Sequence, residues 1–168
     1  MGMLDQTVRL GLTVGSMADV RYVQTSVVVD SILTRQLRRI VDQNGWPRRS
    51  AVGRDAAQAA FLVLQHSPSD AFQRRMLPLL EAAAREDEAS PSDVAMLTDR
   101  LRTHDGLPQI YGTQFRIVDG ALAPFPIQQI DSLEARRARA GLMPMADYVK
   151  LLQETYQGPV RWPPDSAR

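Results

Sequence analysis

Residues 54–66, RDAAQAAFLVLQH, constrain the fold more than any other stretch of the chain. Read at 3.6 residues per turn, their apolar positions cover nearly the whole circumference of a helix. A helix that is apolar on all sides has to be surrounded by others. The stretch therefore predicts the central helix of a multi-helix domain, and its neighbours have the amphipathic pattern such a centre needs. Val29, Leu33, Leu37, Ile40 and Val41 share one face of a helix over 19–44, with Arg35, Arg38, Arg39 and Asp42 opposite. The β-branched run Val27-Val28-Val29 weakens the start of that helix, and Gly45 and Pro47 of GWP close it. Phe72, Met76, Leu79, Leu80 and Ala83 mark a helix from 68, which Pro78 should kink or divide. Val94, Leu97, Thr98 and Leu101 mark another over 91–103. SPSD occurs twice, at 67–70 and 90–93, each time as a helix start: Ser as N-cap, Pro at the first helical position, Asp completing a capping box.

Beyond residue 108 the period changes. QIYGTQFRIV at 109–118 reads as a strand and is followed by Asp119-Gly120, the strongest short hairpin signal. The return strand, 121–125, is ended by Pro124 and Pro126. Asp131 and Glu134 form a further capping box for a helix to about 140, closed by Gly141, and a last helix spans about 144–156. The expected fold is mainly α (α+β): a bundle of five to six helices around a central apolar helix, with one β-hairpin near 109–125. We expect a single domain over 1–168, with 1–18 ambiguous and 159–168 a loose tail.

Composition narrows the function. Of 168 residues, 44% are hydrophobic and 23% charged, as in an ordinary globular domain. Twenty basic and 19 acidic side chains leave a net charge of +1, without the concentrated basic surface that nucleic acid or an anionic membrane calls for. No segment approaches the roughly 20 apolar residues that span a bilayer. Asp5 and Arg9 interrupt what a secretory signal would need as an apolar core, so the expected location is cytoplasmic. The chain has no cysteine, and therefore no thiol nucleophile or thiolate ligand. His66, His104 and the nearby aspartates lack any recognised metal-ligand spacing, and neither GxGxxG nor a P-loop is present, so no metal and no cofactor are expected.

Polar chemistry concentrates at two places. Gln65 and His66 end the apolar helix. An imidazole there lies between the carbonyls of one helix and the amides of the next, a setting that suits a general acid or base, and Asp70 is close enough in sequence to orient one ring nitrogen. The commoner role for such a histidine is to satisfy the last carbonyls of its helix. Strand alternation puts Gln109, Tyr111 and Thr113 on the side identified as inward by Phe115 and Ile117, with Gln114 on the other. Buried polar groups must be paired with each other, with water or with a ligand. These residues therefore form either a structural network or a pocket wall. Asp99-Arg100 reads as a surface ion pair, or Arg100 lies at a pocket mouth and binds an anionic group.

GWP at 45–47, Val52-Gly53, Gln65-His66, LTDR at 97–100 and QIYGTQ at 109–114, continued by Arg136, Arg137, Gly141, Leu142 and Tyr148, resemble the motifs of a bacterial family of conserved domains without established function. The resemblance spans roughly 30–150 and implies no catalytic residue, cofactor or substrate.

Two functions follow as expectations. The first is a cofactor-independent enzyme acting on a small molecule, of hydrolase, lyase or cyclase type. His66 would move protons, Asp70 or Gln65 would orient it, Tyr111 would position or polarise the substrate, and Gln65, Gln109, Thr113, Gln114 and Arg100 would bind it. The second is a non-catalytic module for a small ligand or protein partner, immunity- or antitoxin-like, with Trp46, Trp162 and arginines exposed for recognition. Val27–Ile40 is the expected seam of a homodimer.

Overall fold

The first long helix of the structure, α1 (Met17–Asn44), ends as its sequence dictates: Gly45 takes φ +76° and its amide donates to Val41 O at 2.9 Å. The computed structural model describes the backbone of residues 17–164 and the side chains of 27–164. All but the last two residues of the ambiguous segment 1–18 lie outside that range. The chain divides into two compact units, Met1–Leu97 and Thr98–Arg168, with the division inside one helix.

In the N-terminal unit, α1 is followed by a single turn, α2 (Arg49–Val52), then α3 (Arg54–Gln65), α4 (Asp70–Arg85) and the first half of α5 (Pro91–His104). Thr34, Leu37 and Val41 of α1 are buried, as are Ala57, Ala60, Phe61 and Leu64 of α3 and Phe72, Met76, Leu80 and Ala83 of α4. The i, i+3, i+4, i+7 spacing of these positions gives each helix one inward face. Helix α3 is thus covered on one face only, and not encircled as expected. Its other face carries Ala56, Gln58 and Ala59, side chains small or polar enough to remain exposed. Pro78 does not divide α4, which continues through it from Asp70 to Arg85. The expected cap of α4 moves by two residues. Ser69, not Ser67, is the N-cap, and its Oγ accepts from Phe72 N at 3.3 Å. At 90–93 one half of the expected capping box is present: α5 begins at Pro91 and the Asp93 carboxylate returns to the Ser90 backbone amide, while Ser90 Oγ meets Ser92 Oγ at 2.7 Å. A clasp joins the start of α2 to the turn after α4. Arg48 pairs with Glu86 at 2.6 Å, Ser50 N donates to Glu88 Oε2 at 2.8 Å, and Arg49 N donates to Glu88 O at 3.2 Å.

In the C-terminal unit the rest of α5 leads to a loop over 107–114, then β1 (Phe115–Val118), β2 (Ala121–Pro124), α6 (Leu133–Arg139, preceded by a 3-10 turn at Ile130–Ser132) and α7 (Met145–Tyr156). The hairpin is antiparallel with Val118 opposite Ala121, and its two turn residues, Asp119 and Gly120, have φ of +47° and +75°. Positive φ at both central positions defines the tight turn that Asp-Gly favours. Only the second half of the expected strand 109–118 is extended. Ile117, expected inward, is exposed, while Phe115 is buried and meets the Tyr148 ring edge-on at 5.8 Å. Beyond α7 the tail is not loose at its beginning. Leu122 of β2 accepts from Arg161 N at 2.7 Å and donates to Pro159 O at 2.9 Å. Residues 165–168 lie outside the described range. Mainly α with one two-stranded hairpin is therefore the observed class, and the described residues form seven α-helices, the expected six and the turn α2.

Candidate functional site

The loop at 109–114, QIYGTQ, is organised from α5 by one carboxylate. Asp99 is fully buried, and its oxygens accept from Ile110 N at 2.6 Å, Tyr111 N at 3.0 and 3.1 Å, Thr113 N at 3.0 Å and Thr113 Oγ1 at 2.9 Å. Successive amides turned toward one point form an anion-binding nest, here filled by the chain's own carboxylate. Burial pushes the Asp99 carboxyl upward, and its hydrogen bonds from Tyr111, Ile110 and Thr113 oppose the shift. Gly112 makes the turn possible. Its φ is +67°, and an added Cβ would lie 2.6 Å from Met145 Cε and 3.3 Å from Ile127 Cδ1.

The loop carbonyls are paired just as fully. Arg136 Nε donates to Ile110 O at 2.7 Å, and Arg137 donates to Tyr111 O at 2.7 Å and to Gly112 O at 3.4 Å. The Tyr148 hydroxyl donates to Thr113 O at 3.2 Å, and Gln109 Nε2 donates to Gln114 O at 3.0 Å. Gln109 also accepts from Gln114 N at 2.8 Å through its side-chain oxygen and donates to Phe125 O at 2.9 Å. Gln114 Nε2 donates to Thr113 Oγ1 at 3.1 Å. Arg137 is almost completely buried beneath the Tyr148 ring, its guanidinium carbon 5.1 Å from the centroid, and burial lowers its pKa from the ordinary arginine value. The structure thus brings Gln109, Thr113, Gln114 and the Tyr111 backbone together, around an aspartate and two arginines and within a single network. Thr113, Gln109 and Gln114 are buried, and the Tyr111 side chain is half-buried.

His66, Gln65 and Asp70 lie in the N-terminal unit. His66 is the half-buried C-cap of α3, its amide donating to Leu62 O at 3.0 Å. The last carbonyls of α3 are served by Gln73, whose Nε2 lies 3.1 Å from Leu64 O, 3.3 Å from Gln65 O and 3.2 Å from Ser67 O. Gln65 is buried, and Asp70 pairs with Arg74 at 3.0 Å along α4. Arg100 is only 2% exposed, so it stands at no pocket mouth, and Asp99-Arg100 is not a surface pair. Among the described residues no three His, Cys, Asp or Glu side chains cluster as a metal site.

Two cavities lie in the N-terminal unit. A polar one of about 10 Å³, the size of one water, is lined by Trp46, Arg49, Gln58, Ser90 and Asp93. Trp46, expected on the surface, is buried here. Burial pushes the Asp93 carboxyl up to about 6, against the Gln58 hydrogen bond, the Arg49 charge and the Ser90 amide. The larger is an open groove of about 250 Å³ between α1 and α3, walled by Leu33, Leu37 and Ile40 on one side and floored by Ala56, Ala59 and Ala60. Val52 and Val63 flank it, and Gln36 is the one polar side chain lining it.

A family model described as a family of unknown function (DUF6624) matches residues 1–161. The chain belongs to this family. No curated protein and no solved structure matches the chain. For this DUF6624 chain, the loop motif QIYGTQ and the helix motif LTDR that stood out in the sequence are accounted for by one another: Asp99 from the second fills the nest formed by the first. Sequence reading missed the role of Asp99 and of Arg136 and Arg137, and for Asp99 the spacing points the other way. Asp99 lies two positions from Leu97 and from Leu101, where a helix with a single inward face turns a side chain outward. Buried residues at 95, 97, 99, 100 and 101 show α5 covered on several sides.

Proposed function

We propose that this chain is a non-catalytic recognition module, acting in the cytoplasm, that binds an apolar partner surface in the groove between α1 and α3. One observation carries the reading: a preformed concavity of about 250 Å³ whose walls are almost entirely aliphatic. Binding sites are concave and mostly apolar, with few polar groups. A proton-transfer enzyme would draw on Gln109, Thr113 and Gln114 to hold its substrate, and the Gln109 amide, the Thr113 hydroxyl and Gln114 Nε2 are engaged in the network around the loop. An immunity- or antitoxin-like role fits a module of this kind.

The test is a titration with the apolar dye 1-anilinonaphthalene-8-sulfonate at sub-micromolar protein. Ala59→Trp fills the groove from an exposed position on its floor. We expect saturable binding to the native chain and at least about tenfold weaker binding to the variant, a loss of about 1.4 kcal/mol. Equal binding by the two proteins would contradict the assignment.

A further inference from the structure

Helix α1 has 28 residues and is about 42 Å long, whereas α3, with 12, accompanies at most about 18 Å of it. On α1, Val29, Leu33, Gln36 and Ile40 follow at steps of four, three and four, which makes a continuous stripe along one side. Val27, Val28, Val29, Ile32, Leu33 and Ile40 are each between 37% and 58% exposed. Successive residues of a helix point about 100° apart, so exposure at 27, 28 and 29 means apolar surface on several sides of α1. Farther along, Arg35, Arg38, Arg39 and Asp42 make the opposite side polar, so the stripe through Leu33 and Ile40 is a one-sided apolar face of the kind that packs against a partner.

Resting on the groove reading above, we propose that the occupant is a second copy of this chain, with α1 and α3 of each copy packed against α1 and α3 of the other about a two-fold axis. The chain carries both halves of the contact. Val29, Leu33 and Ile40 project as branched knobs, and Ala56, Ala59 and Ala60 leave the hollow that receives such knobs. A self-complementary patch of this kind is what a closed two-fold dimer requires. The lengths agree as well: the stripe from Val29 to Ile40 runs about 17 Å, and the groove wall α3 about 18 Å. The exposed residues that share the groove side, Val29, Leu33, Gln36, Ile40, Val52, Ala56 and Ala59, offer on the order of 500 Å² per copy. That gives about 1,000 Å² in total, the lower end for a specific interface. The dimer is therefore weak and forms at micromolar concentration.

The test is sedimentation velocity of the full chain from roughly 1 to 300 μM, with the expected mass rising from one copy to two. Ile40→Glu and Leu33→Glu place a charge in the seam at exposed positions, and each should hold the chain at one copy with unchanged circular dichroism. Because the chain lacks cysteine, single replacements report on contact directly. Under mild oxidation, Cys at position 29, 33, 36 or 40 should link two copies through at least one of these sites, and Gln153→Cys on α7 should not. The links decide the matter if a Glu variant fails to fold. A single-copy mass throughout, with no link from any stripe position, overturns the dimer. If the dye still binds the groove in that case and Ala59→Trp abolishes it, another occupant fills a genuine site. If the dye does not bind either, the recognition reading falls too.

Discussion

At the scale of single residues, the C-terminal unit depends on Asp99. Four donors in the loop, three amides and one hydroxyl, converge on a carboxylate that no water reaches. Asp99→Asn keeps the shape but turns an NH₂ toward amides, leaving buried donors facing a donor. Such mismatches cost about 1–3 kcal/mol for each group left unpaired. We expect Asp99→Asn to lower unfolding free energy by about 2–4 kcal/mol in a urea titration, and a loss below about 0.5 kcal/mol would remove the loop's dependence on this carboxylate. Gly112→Ala should cost about 1–2 kcal/mol from the left-handed backbone alone. The crowding is confined to the mobile ends of the Met145 and Ile127 side chains and adds little. The buried pairing was legible from sequence only in part. Alternation marked Gln109 and Thr113 as inward polar residues needing partners, and they are buried and paired. The partner of Thr113, Asp99, lies fourteen residues before it on a helix, and spacing alone does not reveal which residues a loop folds back upon.

At the scale of elements, Gly45, Pro91 and Gly141 stop or start the helices where backbone geometry requires, and the apolar period marks an inward side on each, but Val29, Leu33 and Ile40 of α1 and Leu79 of α4, expected on that side, are exposed. The differences arise where a side chain serves a neighbouring element and not its own. Glu134 was expected to complete a box with Asp131. Its carboxylate instead accepts from Met145 N at 3.1 and 3.4 Å, capping α7, whose own N-cap position is held by Pro144. Proline offers no side-chain acceptor, so the next available carboxylate takes the role. Glu134→Ala should therefore destabilise α7, not α6, by about 1 kcal/mol, seen as faster amide exchange over 145–149 with 133–139 unchanged. The strand expected from 109 fails for the same reason. Gln109 makes a single bridge to Ile127, and over 110–113 side chains of Asp99, Arg136 and Arg137 satisfy the backbone, so no continuous ladder forms before Phe115. The all-round apolar reading of α3 took alanines as core residues, whereas three of its four alanines floor an open groove.

At the scale of the whole molecule, two properties follow from the N-terminal unit. The first is a pH dependence. The folded-state pKa of Asp93, about 6, lies above its ordinary 3.8. Its contribution to stability is present in full below about pH 3.8 and is lost as pH rises through 6, a change on the order of 3 kcal/mol. Asp93→Asn removes that dependence. Between pH 4 and 7 the difference in unfolding free energy between variant and native chain should shift in the variant's favour, and a constant difference across that range would show that Asp93 is not held protonated. The second is the recognition proposed for α1 and α3, which rests on the groove between them and on the exposed aliphatic stripe of α1. The most direct measurement is amide hydrogen exchange of the full chain, in dilute and in concentrated solution. The account predicts slower exchange over residues 27–40 as concentration rises, with 109–114 equally protected throughout. Exchange over 27–40 that is independent of concentration, together with a concentration-dependent change in the loop, would place recognition on the wrong unit and contradict the account.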